Sequence, residues 1–552
     1  MTDQNSAISN QQSSGRRRVG FVVGGSLKTH LLARLQVPPQ QVQEGAFVVI
    51  ESNDWLFHGL VTDLQLGATN PRFADEQTTN RLPGELAGLL QGQTLYTNLE
   101  ILPALMFTGG EERQGPLPVK TVPSHQADVF LASEGDVAEV FQGDFVLGHT
   151  REQNHPVAID LDKLVKRSSG IFGATGTGKS FLTRLMLAGL IQHNAASVLV
   201  LDMHNEYAYN DQDENGNPVS GLRDKFPAKV RVAGLGAGAT IRGKTPDFNL
   251  EIAMSDIQPG DIELLTRELN LKETTSATLD ALLASFGPTQ WFKAFKEMSR
   301  AKVEGDDGKR TDAPGSVAAW ARENNVNEMA AEGLHNKLGK VFRLAYLAEK
   351  PAVDTVGEIV KSLEAGQHVI LSFGKHESDL DYLLVSNLLT RRIRERWEQT
   401  TNELRSNNKG EPRPLVIAVE EAHKLLNREM AVQTTFSTIA RELRKYYVTL
   451  LIIDQRPSQI YDEVMSQLGT RISGWLGDDD DIRAVLSGLA GREALRGMLA
   501  RLQPKEEVLL LGWGVPMPLP IKSRRYDDMF WDELQGKGKR KGAKEVDEEL
   551  GF

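Results

Sequence analysis

The octapeptide Gly173-Ala174-Thr175-Gly176-Thr177-Gly178-Lys179-Ser180, preceded by Ser169-Gly170-Ile171-Phe172 and followed by Phe181-Leu182-Thr183, has the spacing G-x-x-x-x-G-K-S. A loop of this kind wraps phosphate oxygens with backbone N–H groups. Lys179 then reaches the β and γ phosphates of a nucleoside triphosphate, and Ser180 ligates Mg²⁺. Gly173 through Phe181 is therefore the expected nucleotide cradle, with ATP and Mg²⁺ as its cofactors. The run from Ser180 to Gln192 reads as a helix whose N-terminal dipole faces the phosphates. A bare surface glycine turn has the same local composition, so the surrounding sequence has to decide.

Hydrolysis needs a carboxylate to organise the metal and a group to activate water. Leu415-Val416-Ile417-Ala418-Val419 reads as a fully buried strand, and Glu420-Glu421-Ala422-His423 follows it. Acids at the carboxyl end of a parallel strand lie on the rim where such sheets bind ligands. Glu420 is expected as the metal carboxylate and Glu421 as the catalytic base. A second apolar run, Leu450-Leu451-Ile452-Ile453-Asp454, ends in Gln455, placed to sense the γ phosphate or orient water. Asp202-Met203-His204-Asn205-Glu206-Tyr207 follows a third strand, with Asp202 or Glu206 as further contacts to water or metal. Positive charge for the transition state can come from a neighbouring subunit. The candidates are Arg167, Arg441 and Arg444, and a solvated helix face explains the last two equally well.

Apolar strands alternate with helices from about Val157, the signature of a mainly parallel α/β sheet. Strands are expected at Gly170–Phe172, Ser197–Asp202, Val369–Phe373, Leu415–Val419, Val448–Asp454, Arg471–Trp475 and Val508–Gly512. Between about 250 and 365 the strands give way to helical periodicity, as in Asp261–Leu269 and Ala277–Phe286, broken by the polar loop Glu304–Arg310. This reads as a helical insertion. Upstream, short β-branched and aromatic runs such as Val19–Val23 and Ala46–Ile50 suggest a small antiparallel barrel or sandwich.

The chain has 552 residues, enough for about three or four structural units. No run approaches the roughly 18 apolar residues of a membrane span, the polar start lacks the apolar stretch of a secretory signal, and there is no cysteine. A cytoplasmic protein with no membrane partner is expected. The net charge of −11 does not settle nucleic-acid binding, because a ring needs positive charge only where polymer passes. Arg16-Arg17-Arg18 and Lys537–Lys544 read as solvated terminal tails. Asp478-Asp479-Asp480-Asp481 lacks the spacing of a calcium loop, and Gly234–Gly238 lacks that of a dinucleotide fingerprint.

Together, the barrel-like start, Gly173–Ser180, Asp202–Tyr207, Glu420–His423 and Gln455-Arg456-Pro457-Ser458 resemble the HerA family of hexameric DNA translocases and, more distantly, FtsK-type motors. The resemblance spans about Val19 to Tyr526. It implies an α/β fold: a RecA-like P-loop ATPase core with a helical insertion, preceded by a small N-terminal β-barrel. The implied division is a disordered tail at 1–15, a barrel at 16–150, a core at 151–250 and 366–526, an insertion at 251–365, and a C-terminal tail at 527–552. The resemblance further implies a homo-hexamer that threads double-stranded DNA and hydrolyses ATP between subunits. A nuclease of the NurA type, or another effector in anti-phage defence, would dock on the barrel. Asn205 stands where the family pattern commonly has glycine, and Glu420 where many related motors have aspartate. An ATPase of a protein-remodelling, conjugation or secretion machine, and a nucleotide-gated scaffold for an effector, are the competing readings.

Overall fold

A computed structural model describes residues 15–69, 95–109, 113–213, 216–304, 310–430 and 434–536. The start of the expected N-terminal tail, the middle of the loop Glu304–Arg310, the basic run Lys537–Lys544 and the side chain of Arg441 lie outside the described residues.

The N-terminal strands are β1 (Arg17–Gly25), β2 (Leu31–Leu35), β3 (Phe47–Ser52), β4 (Trp55–Ala68), β5 (Leu95–Thr108), β6 (Leu117–Pro118) and β7 (Asp128–Leu131). Their order is β2-β1-β7-β3-β4-β5-β6, and a further pairing of β2 with β5 closes a six-stranded antiparallel barrel with β6 outside it. Closure removes the exposed edges of an open sheet. Alternation along the strands explains the interior. Leu31, Ala33 and Leu35 of β2 point inward with Val48 and Ile50 of β3 and Val129 of β7. The opposite faces of β3 and β4 are apolar too, and Phe47, Val49, Leu56 and Leu60 belong to the core of the following domain. The barrel is thereby seated on its neighbour.

Arg16-Arg17-Arg18 is not a free tail. The Arg16 side chain is 3% exposed and pairs with Glu51 and Asp136, because the chain enters β1 beside the capping box of the helix Glu134–Val140. Arg18 pairs with Asp128 at the surface.

The larger sheet has β8 (Phe145–Thr150), β9 (Pro156–Ile159), β10 (Ser169–Phe172), β11 (Ser197–Asp202), β12 (Val230–Leu235), β13 (Phe248–Leu250), β14 (His368–Ser372), β15 (Leu415–Val419), β16 (Val448–Asp454), β17 (Thr470–Ser473), β18 (Glu507–Gly512) and β19 (Leu519–Ser523). Its order is β13-β12-β14-β11-β15-β16-β10-β17-β18-β19-β8-β9. From β13 to β17 all pairings are parallel, and from β17 to β9 they are antiparallel. This is the α/β P-loop core with a barrel in front of it. Every expected strand of the core is present: Ser197–Asp202, Leu415–Val419 and Val448–Asp454 match their expected bounds, and the others shift by a residue or two at the ends. The sequence reading missed β12 and β13, where Arg231 and Asn249 interrupt the apolar pattern, and the antiparallel strands β8, β9 and β19. Strand β8, expected with the barrel, pairs with β19 in the core sheet.

Between 251 and 365 the helices Thr275–Phe286, Val317–Glu323, Glu328–Leu338 and Thr355–Glu364 dominate. Two short strand pairs, Ile252–Ala253 with Leu347–Ala348 and Lys302–Glu304 with Arg310–Asp312, were not expected there. The helix expected at Asp261–Leu269 is regular only over Pro259–Glu263. Beyond it the amides of Leu265 and Thr266 bond three residues back, tightening the chain into turns. The segment beyond 527, expected as tail, forms the helix Asp528–Leu534, which buries Phe530 and Trp531 against Phe145 and Phe226. Aromatic side chains of this size dominate core energetics, and two of them suffice to dock a short helix.

Candidate nucleotide site

Strand β10 ends at Phe172 in register with Asp454 of β16, and β16 pairs on its other side with β15. The carboxyl ends of all three strands therefore open on one rim. The loop Gly173–Ser180 leaves β10 there and leads into the helix Lys179–His193. Gly178 is the N-cap at φ 90°, in the region that favours glycine, and no side chain caps the first turn. That leaves the helix amino end to its ligand. The loop is fixed from outside by the amide of Ala174 donating to Trp475 O (3.0 Å) and that of Lys505 donating to Thr177 O (3.1 Å).

A cavity of about 1440 Å³ covers this rim, lined by residues from Ala174 to Leu182, by Glu206, Glu420, Glu421 and Gln455, and by Lys505 and the segment Lys522–Phe530. Of the expected site residues, Lys179, Ser180, Phe181, Glu420, Glu421 and Gln455 all line it. Gly173 immediately precedes this lining, with room for a Cβ denied by Thr177 Oγ1 at 2.6 Å.

Three side chains form a relay across the strand ends. Thr175 Oγ1 donates to Gln455 Oε1 (2.6 Å), and Gln455 Nε2 donates to Glu421 Oε1 (3.0 Å). Glu421 itself stands at φ 45°, a conformation uncommon outside glycine. His423 Nδ1 lies 3.7 Å from Glu421 Oε2 and 2.9 Å from Asp454 Oδ2. Its hydrogen bond to Asp454 outweighs burial and raises the histidine above its ordinary value. Burial alone would raise Asp454, but His423 and the backbone amides of Arg456 and His423 hold it low.

Glu420 is buried. Its Oε1 accepts from Tyr207 Oη (2.5 Å), its backbone carbonyl accepts from Tyr382 Oη (2.6 Å), and its Oε2 has no partner among the described residues. Burial, then the charges of Asp202 and Glu206, push the carboxyl well above its usual range. A buried carboxylate oxygen without a donor among the described residues, on a side chain that lines the same cavity as Ser180, fits a hard cation that takes oxygen ligands. Among the described residues no group of three or more His, Asp or Glu side chains is arranged to hold a metal ion.

Asp202 does not face the cavity. It is fully buried, and its carboxylate accepts from the amides of Glu206 (2.8 Å) and Tyr207 (3.1 Å) and from Ser372 Oγ (3.2 Å). Burial pushes its pKa up to about 6. Its part is to shape the loop that delivers Tyr207 to Glu420. Asn205, at φ 57°, both donates to Gly374 O (3.0 Å) and accepts from Gly374 N (2.8 Å), stapling that loop to the end of β14. The asparagine thus holds a left-handed backbone, a conformation that glycine adopts most readily.

The two arginines are elsewhere. Arg167 precedes β10, at the end opposite the phosphate loop, and its guanidinium lies 4.4 Å from the Trp513 ring centre. Arg444 sits in the turn Leu443–Tyr446 just before β16, exposed at the same far end. Within one chain neither reaches the loop.

Sequence reasoning missed the roles of Thr175, Tyr207, His423, Asn205 and Lys505. Only Asp454-Gln455 carried a signal, two polar residues ending an apolar run. The other contacts join segments as far apart as the 280 positions between Thr175 and Gln455.

The model of the family described as "Helicase HerA, central domain" matches residues 145–393. The DNA double-strand break repair helicase HerA of Sulfolobus acidocaldarius is 24% identical over 514 residues, covering 92% of this chain and 93% of the relative. The helicase of the same name from Pyrococcus furiosus is 22% identical over 463 residues, covering 81% of this chain and 80% of the relative.

Over most of its length the chain is similar to proteins of the HerA family. The chain is an ATP-hydrolysing enzyme of the P-loop class. Solved structures similar to it include VirB4 of Thermoanaerobacter pseudethanolicus, 18% identical with a TM-score of 0.43, covering 70% of this chain and 98% of that one. The plasmid coupling protein TrwB in complex with ADP and Mg²⁺ is 12% identical with a TM-score of 0.41, covering 71% and 93%. Among the described residues no helix is long and apolar enough to cross a membrane.

Proposed function

We propose that this protein is a HerA-type, ATP-driven translocase or helicase of double-stranded DNA, working as a homo-hexameric ring. The observation that carries the reading is the relay Thr175–Gln455–Glu421, which ties the phosphate loop to an acid beyond β15, two strands away in the sheet. The names of the relatives, DNA double-strand break repair helicases, supply the substrate.

Gly173 through Phe181 cradle the triphosphate of ATP, with Lys179 on the β and γ phosphates. Ser180 and Glu420 would hold Mg²⁺. When bound, the metal neutralises charge on the phosphates. Glu421, oriented by Gln455, accepts the proton of the attacking water. Gln455 couples the γ-phosphate side of the loop to that base. Arg167 or Arg444 of an adjacent subunit supplies positive charge to the transition state. The barrel is the docking surface for a nuclease of the NurA kind in DNA end processing, or for another effector in anti-phage defence.

Motion along DNA uses phosphate contacts that do not read sequence, and these weaken steeply with salt. The test is ATP turnover by the purified full-length protein with and without duplex DNA at several salt concentrations. Stimulation that fades as salt rises, whatever the DNA sequence, supports the proposal. No stimulation at any salt concentration removes the DNA motor.

A further inference from the structure

The segment Arg501–Glu507 touches the phosphate loop with one part and the barrel with another. On the loop side, Lys505 stands at φ 68° and donates its amide to Thr177 O (3.1 Å). Gly178 packs so near that a Cβ there would lie 3.4 Å from Lys505 Cα. Trp475, whose carbonyl accepts from Ala174, donates its indole N–H to Ala500 O (3.0 Å), so the phosphate loop and the start of the segment share one anchor.

On the barrel side the segment grips the turn Gln43-Glu44-Gly45, just before β3. The Arg501 guanidinium pairs with both oxygens of Glu44, Nε to Oε2 at 2.8 Å. Arg151 bridges Glu507 Oε1 (2.9 Å) and Glu44 O (3.2 Å), while Glu507 Oε2 accepts from the amide of Gln503 (3.0 Å). Gly45 lies against Pro520 of β19, where a Cβ would come within 2.6 Å.

We propose that Arg501–Glu507 is a strap that sets the phosphate loop according to how the barrel turn is seated, with Lys505 as the positioning residue. This rests on the reading of the loop as the ATP site. The Lys505 amide fixes the Thr177 carbonyl, and with it the peptide plane before Gly178, whose amide would face a phosphate bound by the loop. Glu507 is 5% exposed and its pair with Arg151 is a fixed anchor, whereas the Arg501 side chain is 63% exposed and its pair with Glu44 is the adjustable one. By linkage, whatever shifts the turn alters the hold on ATP, and ATP alters the turn to the same extent.

The experiment uses the full-length protein, titrated with a fluorescent ATP analogue and Mg²⁺, with turnover measured at saturation. Glu44→Gln and Arg501→Gln each weaken nucleotide binding about threefold to fivefold, the effect of one exposed ion pair. The turnover number changes by less than about twofold, the pattern of lost binding rather than lost chemistry. Exchanging the charges, Glu44→Arg with Arg501→Glu, restores affinity. Asp128→Asn, which cuts the surface pair with Arg18 elsewhere on the barrel, leaves affinity as it was. Hydrogen exchange on the unaltered protein gives a second readout: saturating Mg-ATP slows the amides of residues 43–46 together with those of 505–507. Unchanged affinity in both single variants, or no added protection at 43–46, overturns the strap. If the unaltered protein binds no nucleotide at all, it is the ATP reading that fails.

Discussion

Gln455 donates its amide N–H to Glu421 Oε1 at 3.0 Å while its amide oxygen accepts from Thr175, so one side chain spans the gap between the phosphate loop and the acid beyond β15. Reversing the amide would set its oxygen against the Glu421 carboxylate and lose that bond. The amide therefore fixes which oxygen of Glu421 is left for water.

Replacing Glu421 with Gln removes the base and keeps the shape. ATP turnover is expected to fall by about a hundredfold to ten-thousandfold, the usual worth of general base catalysis. Nucleotide affinity stays near that of the parent protein. Lys179→Ala is expected to do the reverse and abolish binding first. Equilibrium titration beside single-turnover hydrolysis separates the two.

Gln455→Ala leaves Thr175 and Glu421 without their partner. The loss in turnover is expected at about a hundredfold, comparable with removal of one preorganised hydrogen-bond donor. Gln455→Glu is expected to be worse, since a second carboxylate beside Glu421 disfavours the charged base. Equal activity in the two variants contradicts the orienting role.

Asn205 tests backbone strain against hydrogen bonding. Asn205→Gly keeps the left-handed backbone and loses the two bonds to Gly374, at an expected cost of about 1–2 kcal/mol. Asn205→Ala loses the same bonds and adds about 1 kcal/mol or more for a Cβ at positive φ. Denaturant melts should rank the parent protein above the glycine variant and the glycine variant above alanine.

Two buried histidines make stability depend on pH. Burial lowers His58, packed between Phe47 and Phe107, to about 4 and His368 of β14 to about 3, and neither ring has a hydrogen-bond partner among the described residues. Both are neutral when folded and charge near their ordinary pKa of 6.5 when unfolded. Their contribution is whole above about pH 6.5 and is lost as pH falls through the range down to 4 and 3. For His58 the loss amounts to about 3 kcal/mol at most. Melts at pH 7.5 and pH 5 should differ by less in His58→Leu than in the parent protein.

The sequence by itself determined the chemistry-bearing parts. Gly173–Ser180 is legible because a phosphate loop is a local object, made by consecutive backbone amides and two glycines at positive φ. The strands β10, β11, β15 and β16 are legible because burial on both faces demands unbroken apolar runs. Tertiary structure alone decided how those parts act on each other. No local rule brings Thr175 to Gln455, turns Asp202 from a candidate ligand into a buried loop staple, sends Arg167 and Arg444 to the far end of the sheet, or draws Arg16 out of a tail into a buried pair. Each depends on side chains from distant segments meeting in a low-dielectric interior, where a polar group must find a partner or be costly. Periodicity records which face of a segment is buried, and it carries no record of what lies against that face.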